Sequence, residues 1–329
     1  MKNITRWILA TVIIVILLFT ITGCRSATTV TEEHEYIDKM PSLSPVALST
    51  GGKLRVVATT SIVADVVWNV GGDLIDLAML IPLGADPHAF EPTPQDVAAV
   101  ADAHVVFVNG VGLEEFLGSL LESAGEGIVV VPVSYGVELL KFGGEHGEEG
   151  GHHNDADPHV WLSPHNVAVW VRNIEHTLSA LDPANAETYK ANAEACTAEL
   201  ETLDAWIQEQ VDKVPEANRK LVTDHTSFSY FANRYGFEQI GAVFPGYSTL
   251  TEPSARELAA LQDAIHQFNV RAVFVGITVN PDLAQRVVED TGTQLVFLYT
   301  GSLSEPGGEA DDYFSFMQYN VSAIVKALR

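Results

Sequence analysis

Cysteine is nearly absent from the 329 residues: Cys24 and Cys196 are the two present. Because Cys24 sits at the end of an N-terminal leader, Cys196 has no partner, an internal disulfide is excluded, and stability must come from apolar burial. Cys196 falls in a helical pattern and reads as a small buried hydrophobe. Positive charge is also scarce. Eighteen lysines and arginines face 43 aspartates and glutamates, for a net charge of −25, which argues against nucleic acid as a partner and for solubility outside the cell. No convincing internal repeat is visible. What the chain does have is length enough for two ordinary domains and a hydrophobic content of 47%, the composition of a globular protein with real cores.

The leader has the order of an export signal. Lys2 and Arg6 form a basic start, residues 7–20 are almost wholly apolar, and the run is short for a membrane span. It ends in Ile21-Thr22-Gly23-Cys24, which resembles the bacterial lipobox, whose cysteine is lipidated after cleavage. Residues 1–23 are therefore read as a lipoprotein signal peptide and Cys24 as the lipidation site; the alternative is an uncleaved anchor helix. Residues 24–53, rich in Ser, Thr, Glu and Pro, read as a flexible tether, with His34 a solvated residue within it.

From residue 54 onward strands and helices alternate. Strand patterns at 54–59, 74–81, 104–108 and 128–133 are separated by helical patterns at 62–70, 94–101 and 113–123, the signature of parallel βαβ units. His104 opens an apolar strand and reads as a structural histidine. Residues 143–157 interrupt this rhythm with an acidic, histidine-containing insert that cannot build a core. Residues 164–214 are mostly helical, broken at Pro183. A second alternating block follows, with strands at 220–223, 237–243, 271–275 and 294–299 and helices at 227–234, 254–268, 281–290 and 312–328. The expected fold is α/β: two parallel four-stranded lobes, 54–163 and 215–329, joined by a long rigid helical region at 164–214.

Three histidines stand out because each lies at the end of a different strand. His88 occurs in Gly84-Ala85-Asp86-Pro87-His88, His159 in Asp157-Pro158-His159 and His225 in Asp224-His225-Thr226. Strand ends are where open α/β sheets collect ligands, and three neutral imidazoles meeting at one point make a transition-metal site, most naturally zinc. The prolines stiffen the loops that a metal needs held in place. Asp157 could orient a neighbouring imidazole, though spacing does not say which. His165, inside a helix start capped by Ser163 and Pro164, reads as a bystander.

Taken together, Gly84 through His88, Glu91-Pro92-Thr93-Pro94-Gln95-Asp96 and Asp157-Pro158-His159-Val160-Trp161-Leu162 resemble the zinc- and manganese-binding solute-binding lipoproteins of bacterial ABC transporters, the TroA-like, ZnuA-type family. Asp182-Pro183, Tyr189, Asn192, Tyr230-Phe231, Arg234-Tyr235-Gly236 and the 249–254 segment extend the likeness over about residues 54–329. The resemblance implies a monomeric extracytoplasmic receptor, lipid-anchored to the cell membrane, that holds metal between two lobes and works with an ABC permease and its ATPase. It also implies a late carboxylate ligand. Here Gly301 stands where many relatives have aspartate, and Gly276 occupies another commonly acidic strand end. His225, where other members use glutamate, favours zinc over manganese as the transported ion, because nitrogen donors suit zinc and carboxylates the harder ion. His146, His152 and His153 resemble the histidine-rich loop of zinc-binding members, an auxiliary metal site or else a solvated loop with no defined task.

Two other classes compete. Three histidines with an open fourth position also describe a hydrolytic zinc, but no general base is evident beside them, so no enzyme is expected. A surface adhesin displayed by its lipid anchor is the third reading, compatible with metal binding. The manganese receptor remains the alternative within the family.

Overall fold

The computed structural model describes residues 39–125, 127–140 and 156–329. The leader, Cys24, and His146, His152 and His153 of the acidic insert lie outside the described residues. Among the described residues no helix is long and apolar enough to cross a membrane.

The first lobe is built on β1 (Leu54–Ala58), β2 (Ile75–Met79), β3 (Val105–Val108) and β4 (Val130–Pro132), all parallel, in the order β2-β1-β3-β4. The second repeats this plan with β5 (Lys220–Thr223), β6 (Glu238–Ala242), β7 (Ala272–Gly276) and β8 (Gln294–Leu298), in the order β6-β5-β7-β8. In each lobe the chain crosses from one side of the first strand to the other. This is the switch point at which loops diverge and leave a crevice at the carboxyl ends of the strands.

The helices are α1 (Ser61–Gly71), α2 (Pro94–Asp102), α3 (Leu117–Ala124), α4 (Pro164–Leu181), α5 (Ala186–Val211), α6 (Ser229–Tyr235), α7 (Ala255–Phe268), α8 (Asp282–Thr291) and α9 (Tyr313–Leu328). Their starts are written locally. Thr93 with Asp96, Ser254 with Glu257 and Asp312 with Ser315 each close a reciprocal capping box, satisfying backbone donors that the first turn leaves unpaired. Pro183 stops the long helical stretch as expected, because its ring cannot continue the ladder, and the 26-residue α5 follows. One apolar core runs without a break from Leu54, Val56 and Phe107 of the first sheet through Trp170 of α4 and Tyr189, Leu200 and Ile207 of α5. It continues to Leu221, Phe274 and Leu298 of the second sheet. Cys196 lies in this core, and burial, with Asp65 and Glu199 nearby, pushes its thiol up to about 12, the inert state expected of it.

Three expectations need correction. Composition places residues 40–48 in the tether, but Met40, Leu43, Val46 and Leu48 pack on the core, and the Val46 amide donates to the Leu181 carbonyl at 2.8 Å. Four apolar side chains among serines and prolines suffice to hold the segment down without regular structure. The helix expected from 113 begins instead at Leu117, because Glu114 turns inward to accept backbone hydrogen bonds. The acidic insert also ends earlier than its composition suggested, since Asp157 is fully buried.

Candidate metal centre

His88 follows β2, His159 lies ahead of α4 after the insert, and His225 sits two residues past β5. The fold brings all three together: the Nε2 atoms of His88 and His159 are 3.2 Å apart and those of His159 and His225 3.0 Å apart. His159 is thus the central member. His159 and His225 are 1% and 3% exposed, whereas His88 is half-buried. Among the described residues these three are the one group of His, Cys, Asp and Glu side chains with the geometry to hold a metal ion. A tetrahedral zinc ion with Zn–N bonds of about 2.0–2.1 Å sets its nitrogen ligands about 3.3 Å apart, close to what the side chains already adopt.

An aspartate precedes each histidine, and two of these fix an imidazole. Asp157 Oδ1 accepts from the His159 amide at 2.9 Å and from Nδ1 at 2.7 Å, which answers the question the spacing left open: Asp157 orients its own histidine. Asp224 Oδ1 does the same for His225, at 2.6 Å to the amide and 2.8 Å to Nδ1. With Nδ1–H donated to a carboxylate, each Nε2 lone pair points into the centre, the arrangement a metal ligand requires. Asp86 differs. Its Oδ1 accepts from the His88 amide at 3.0 Å, but its Oδ2 accepts from the hydroxyl of Thr249 in the second lobe at 2.6 Å.

The neighbouring glycines explain the missing carboxylate in structural terms. A Cβ on Gly301 would lie 2.8 Å from Cδ of Pro87, inside the Asp-Pro-His loop, so the loop occupies the space an aspartate would need. At Gly276 a Cβ would collide with the Thr300 hydroxyl, and the Gly276 amide donates to Asp224 Oδ2 at 2.6 Å. Gly276 therefore serves the centre through its backbone, by orienting the aspartate that orients His225.

Residues that the sequence reading passed over lie behind His159. Glu114, 5% exposed, accepts from the Thr59 hydroxyl and the Asn109 amide at 2.6 Å each and from the Gly110 amide at 3.1 Å. Asn109 in turn donates from its side chain to the Pro158 carbonyl at 3.0 Å. This buried network ties the ends of β1 and β3 to the His159 loop. The Asn109-Gly110 turn directly after an apolar strand was its visible signal. His104 accepts from the Arg55 amide at 2.9 Å, and His165 is exposed, so neither belongs to the centre.

The electrostatics divide the histidines. Burial, together with the charges of His159 and His225, pushes His88 down to about 3. Burial and His225 push His159 well below the ordinary imidazole range, while burial pushes the Asp157 carboxyl up to about 7. Burial opposes a charge on His225 as well, yet Asp224, through its charge and its hydrogen bond, holds that imidazole above its usual pKa. A cation entering the centre competes with the proton that Asp224 favours on His225, in a range where the Asp157 carboxyl also takes one up. The sign follows: below the raised pKa of His225 protons compete and affinity falls, by about tenfold per pH unit, and above it affinity is flat. A competition titration between about pH 5 and 8 should show metal affinity falling as the pH drops; an affinity that stays constant over that range would contradict a histidine-held ion.

Residues 56–327 match a family model described as ZnuA, zinc-uptake complex component A, periplasmic. The chain is 35% identical over 279 residues to the manganese-binding lipoprotein MntA of Halalkalibacterium halodurans, covering 84% of this chain and 89% of that one. It is 34% identical over 287 residues to the manganese ABC transporter substrate-binding lipoprotein PsaA of Streptococcus pneumoniae, covering 85% and 91%. Among solved structures, the periplasmic zinc binding protein TroA from Treponema pallidum superposes with a TM-score of 0.77 at 27% identity, over 84% of this chain and 99% of that one. A manganese-bound mutant of a periplasmic metal binding protein from Candidatus Liberibacter asiaticus gives 0.74 at 26% identity, over 84% and 100%.

Proposed function

This chain belongs to the ZnuA family of ABC-importer metal receptors, and from that premise we propose that it captures Zn²⁺ on His88, His159 and His225 and hands it to a membrane permease. The observation that supports this reading is the convergence of three Nε2 atoms within 3.0–3.2 Å steps, two of them oriented by buried aspartates. Family members are substrate-binding components rather than enzymes, and capture here needs only ligand exchange. The ion is cargo, so the site must bind it tightly and still let it go.

Zinc is favoured over manganese by donor chemistry. All three donors are nitrogen, and the position that could add an oxygen ligand is filled by Pro87 against Gly301. The second reading is a manganese receptor, for which the names of the relatives MntA and PsaA speak. Competitive titration of metal-free protein with Zn²⁺ and Mn²⁺ separates the two. The expected result is one zinc per chain, held at least about 100-fold more tightly than manganese on the Irving–Williams order; a stoichiometric preference for manganese would overturn the zinc assignment.

We also infer that Cys24 is lipidated and that residues 25–38 link the lipid to the folded unit, so that the receptor works at the outer face of the membrane beside its permease and ATPase. Mass spectrometry of the membrane fraction tests this, with a diacylated N-terminal Cys24 expected. An unmodified chain retaining residues 1–23 would contradict it. His146, His152 and His153 are proposed as a weak auxiliary zinc site; a second, weaker binding step that vanishes on deleting residues 145–154 is the result expected.

A further inference from the structure

The three histidines are not held alike. His159 and His225 each have Nδ1 locked to an aspartate, while among the described residues no carboxylate meets Nδ1 of His88. His88 is also the half-buried member of the three. Its aspartate is used differently: one oxygen of Asp86 holds the His88 backbone, and the other takes the hydroxyl of Thr249 across the cleft at 2.6 Å.

Thr249 lies on the loop between β6 and α7, residues 243–254. This loop reaches over the centre. The Tyr247 ring lies 6.4 Å from that of His159, Thr249 is half-buried against the first lobe, and Leu250 beyond it is 58% exposed. Ahead of Asp86 the Asp-Pro-His loop and its neighbours are tied to the second lobe by several bonds. There Ser302 Oγ accepts from the Gly84 amide at 2.8 Å, Ser61 Oγ from the Leu303 amide at 2.9 Å, and the Thr300 carbonyl from Trp161 Nε1 at 2.8 Å. Beyond His88 the covering loop meets the Asp-Pro-His loop through the Thr249 hydroxyl on the Asp86 carboxylate.

We propose that the Thr249–Asp86 hydrogen bond is a latch that sets how fast the cargo ion leaves, with His88 the first ligand to let go. Thr249 is a positioning residue: it acts on His88 through Asp86. While the bond is made, the Asp-Pro-His loop is pinned from both sides and His88 stays over the centre. When it breaks, that loop and the covering loop separate, and the ion is left on the two locked histidines. The proposal rests on the receptor reading above and adds the order and control of release.

The test is zinc release from the full-length protein into an excess of chromophoric chelator, followed by stopped flow. Thr249→Val keeps the shape and removes the hydroxyl. Loss of a hydrogen bond to a charged group should speed release by about 10–100-fold, with one zinc per chain still bound and the metal-free protein still unfolding in one cooperative step. Thr249→Ser restores the hydroxyl and should bring release back to within about threefold of the parent, the margin set by context. A parent-like rate in the valine variant overturns the latch, as does a serine variant as fast as the valine one, since the hydroxyl would then not be what matters. A parent protein that takes up no stoichiometric metal overturns the receptor reading itself, and the latch with it.

Discussion

Replacing His159 by alanine should lower zinc affinity by about 10²–10³-fold, the largest effect on binding of any single substitution. His159 is the middle of the three nitrogens, 3.2 Å from that of His88 and 3.0 Å from that of His225. Its loss leaves two donors on opposite lobes with nothing between them. A tightly held zinc gains about 10–16 kcal/mol from its whole ligand set, so one ligand of three or four accounts for about 3–4 kcal/mol, and each 1.4 kcal/mol is tenfold. Replacing Asp157 by asparagine should cost less, about 10–100-fold, because the imidazole remains and only its orientation suffers. Isothermal titration with a competing chelator measures both. An H159A protein with affinity within about threefold of the parent, well inside the loss expected for a ligand, would remove His159 from the coordination shell.

The second large effect falls on stability. Glu114→Ala takes the acceptor away from the Thr59 hydroxyl and from the amides of Asn109 and Gly110, three donors that water cannot reach. Each such orphan costs about 1–3 kcal/mol, so a loss of at least about 3 kcal/mol is expected and a fall in melting temperature on the order of 10 °C. Glu114→Gln retains one acceptor oxygen and should lose about half as much. Burial pushes the Glu114 carboxyl up, against the hydrogen bonds that favour its charge, so a neutral replacement is not severe in itself. Calorimetry of the metal-free protein decides: an alanine variant melting within about 2 °C of the parent, the effect of a surface substitution, would mean that the network holds nothing together. Because Asn109 also supports Pro158, zinc affinity should fall along with stability.

Much of this architecture is legible in the sequence because its signals are local. The 220–223 strand is found where the run Lys220-Leu221-Val222-Thr223 places it, and the capping residues Thr93, Ser254 and Asp312 mark helix starts to within a residue. His88, His159 and His225 could be picked out because each follows an aspartate by one or two residues, although of the three strand-end placements expected only that of His225 holds, His159 lying after the insert and ahead of α4. What escaped depends on contacts distant in sequence. Glu114 reads as part of a helix until the turn at Gly110 aims it at β1, 55 residues away. Thr249 and Asp86 are 163 residues apart, and nothing in either loop announces the other. The role of Gly301 was half visible: the missing carboxylate could be read, but not that Pro87 fills its place.

The unbroken core beneath both sheets has a mechanical consequence. Leu54 on one side and Phe274 on the other belong to the same apolar cluster, stitched through Tyr189 and Ile207 of α5. Swinging the lobes apart as rigid arms would tear that cluster and wet it, at about 25 cal/mol for every Å² exposed, and thermal motion seldom supplies such work. Loops at the rim can move without disturbing it. The molecule is then better pictured as a vice with a fixed frame and a small sprung catch than as a pair of closing jaws, and work done on it by a permease is best spent at the rim.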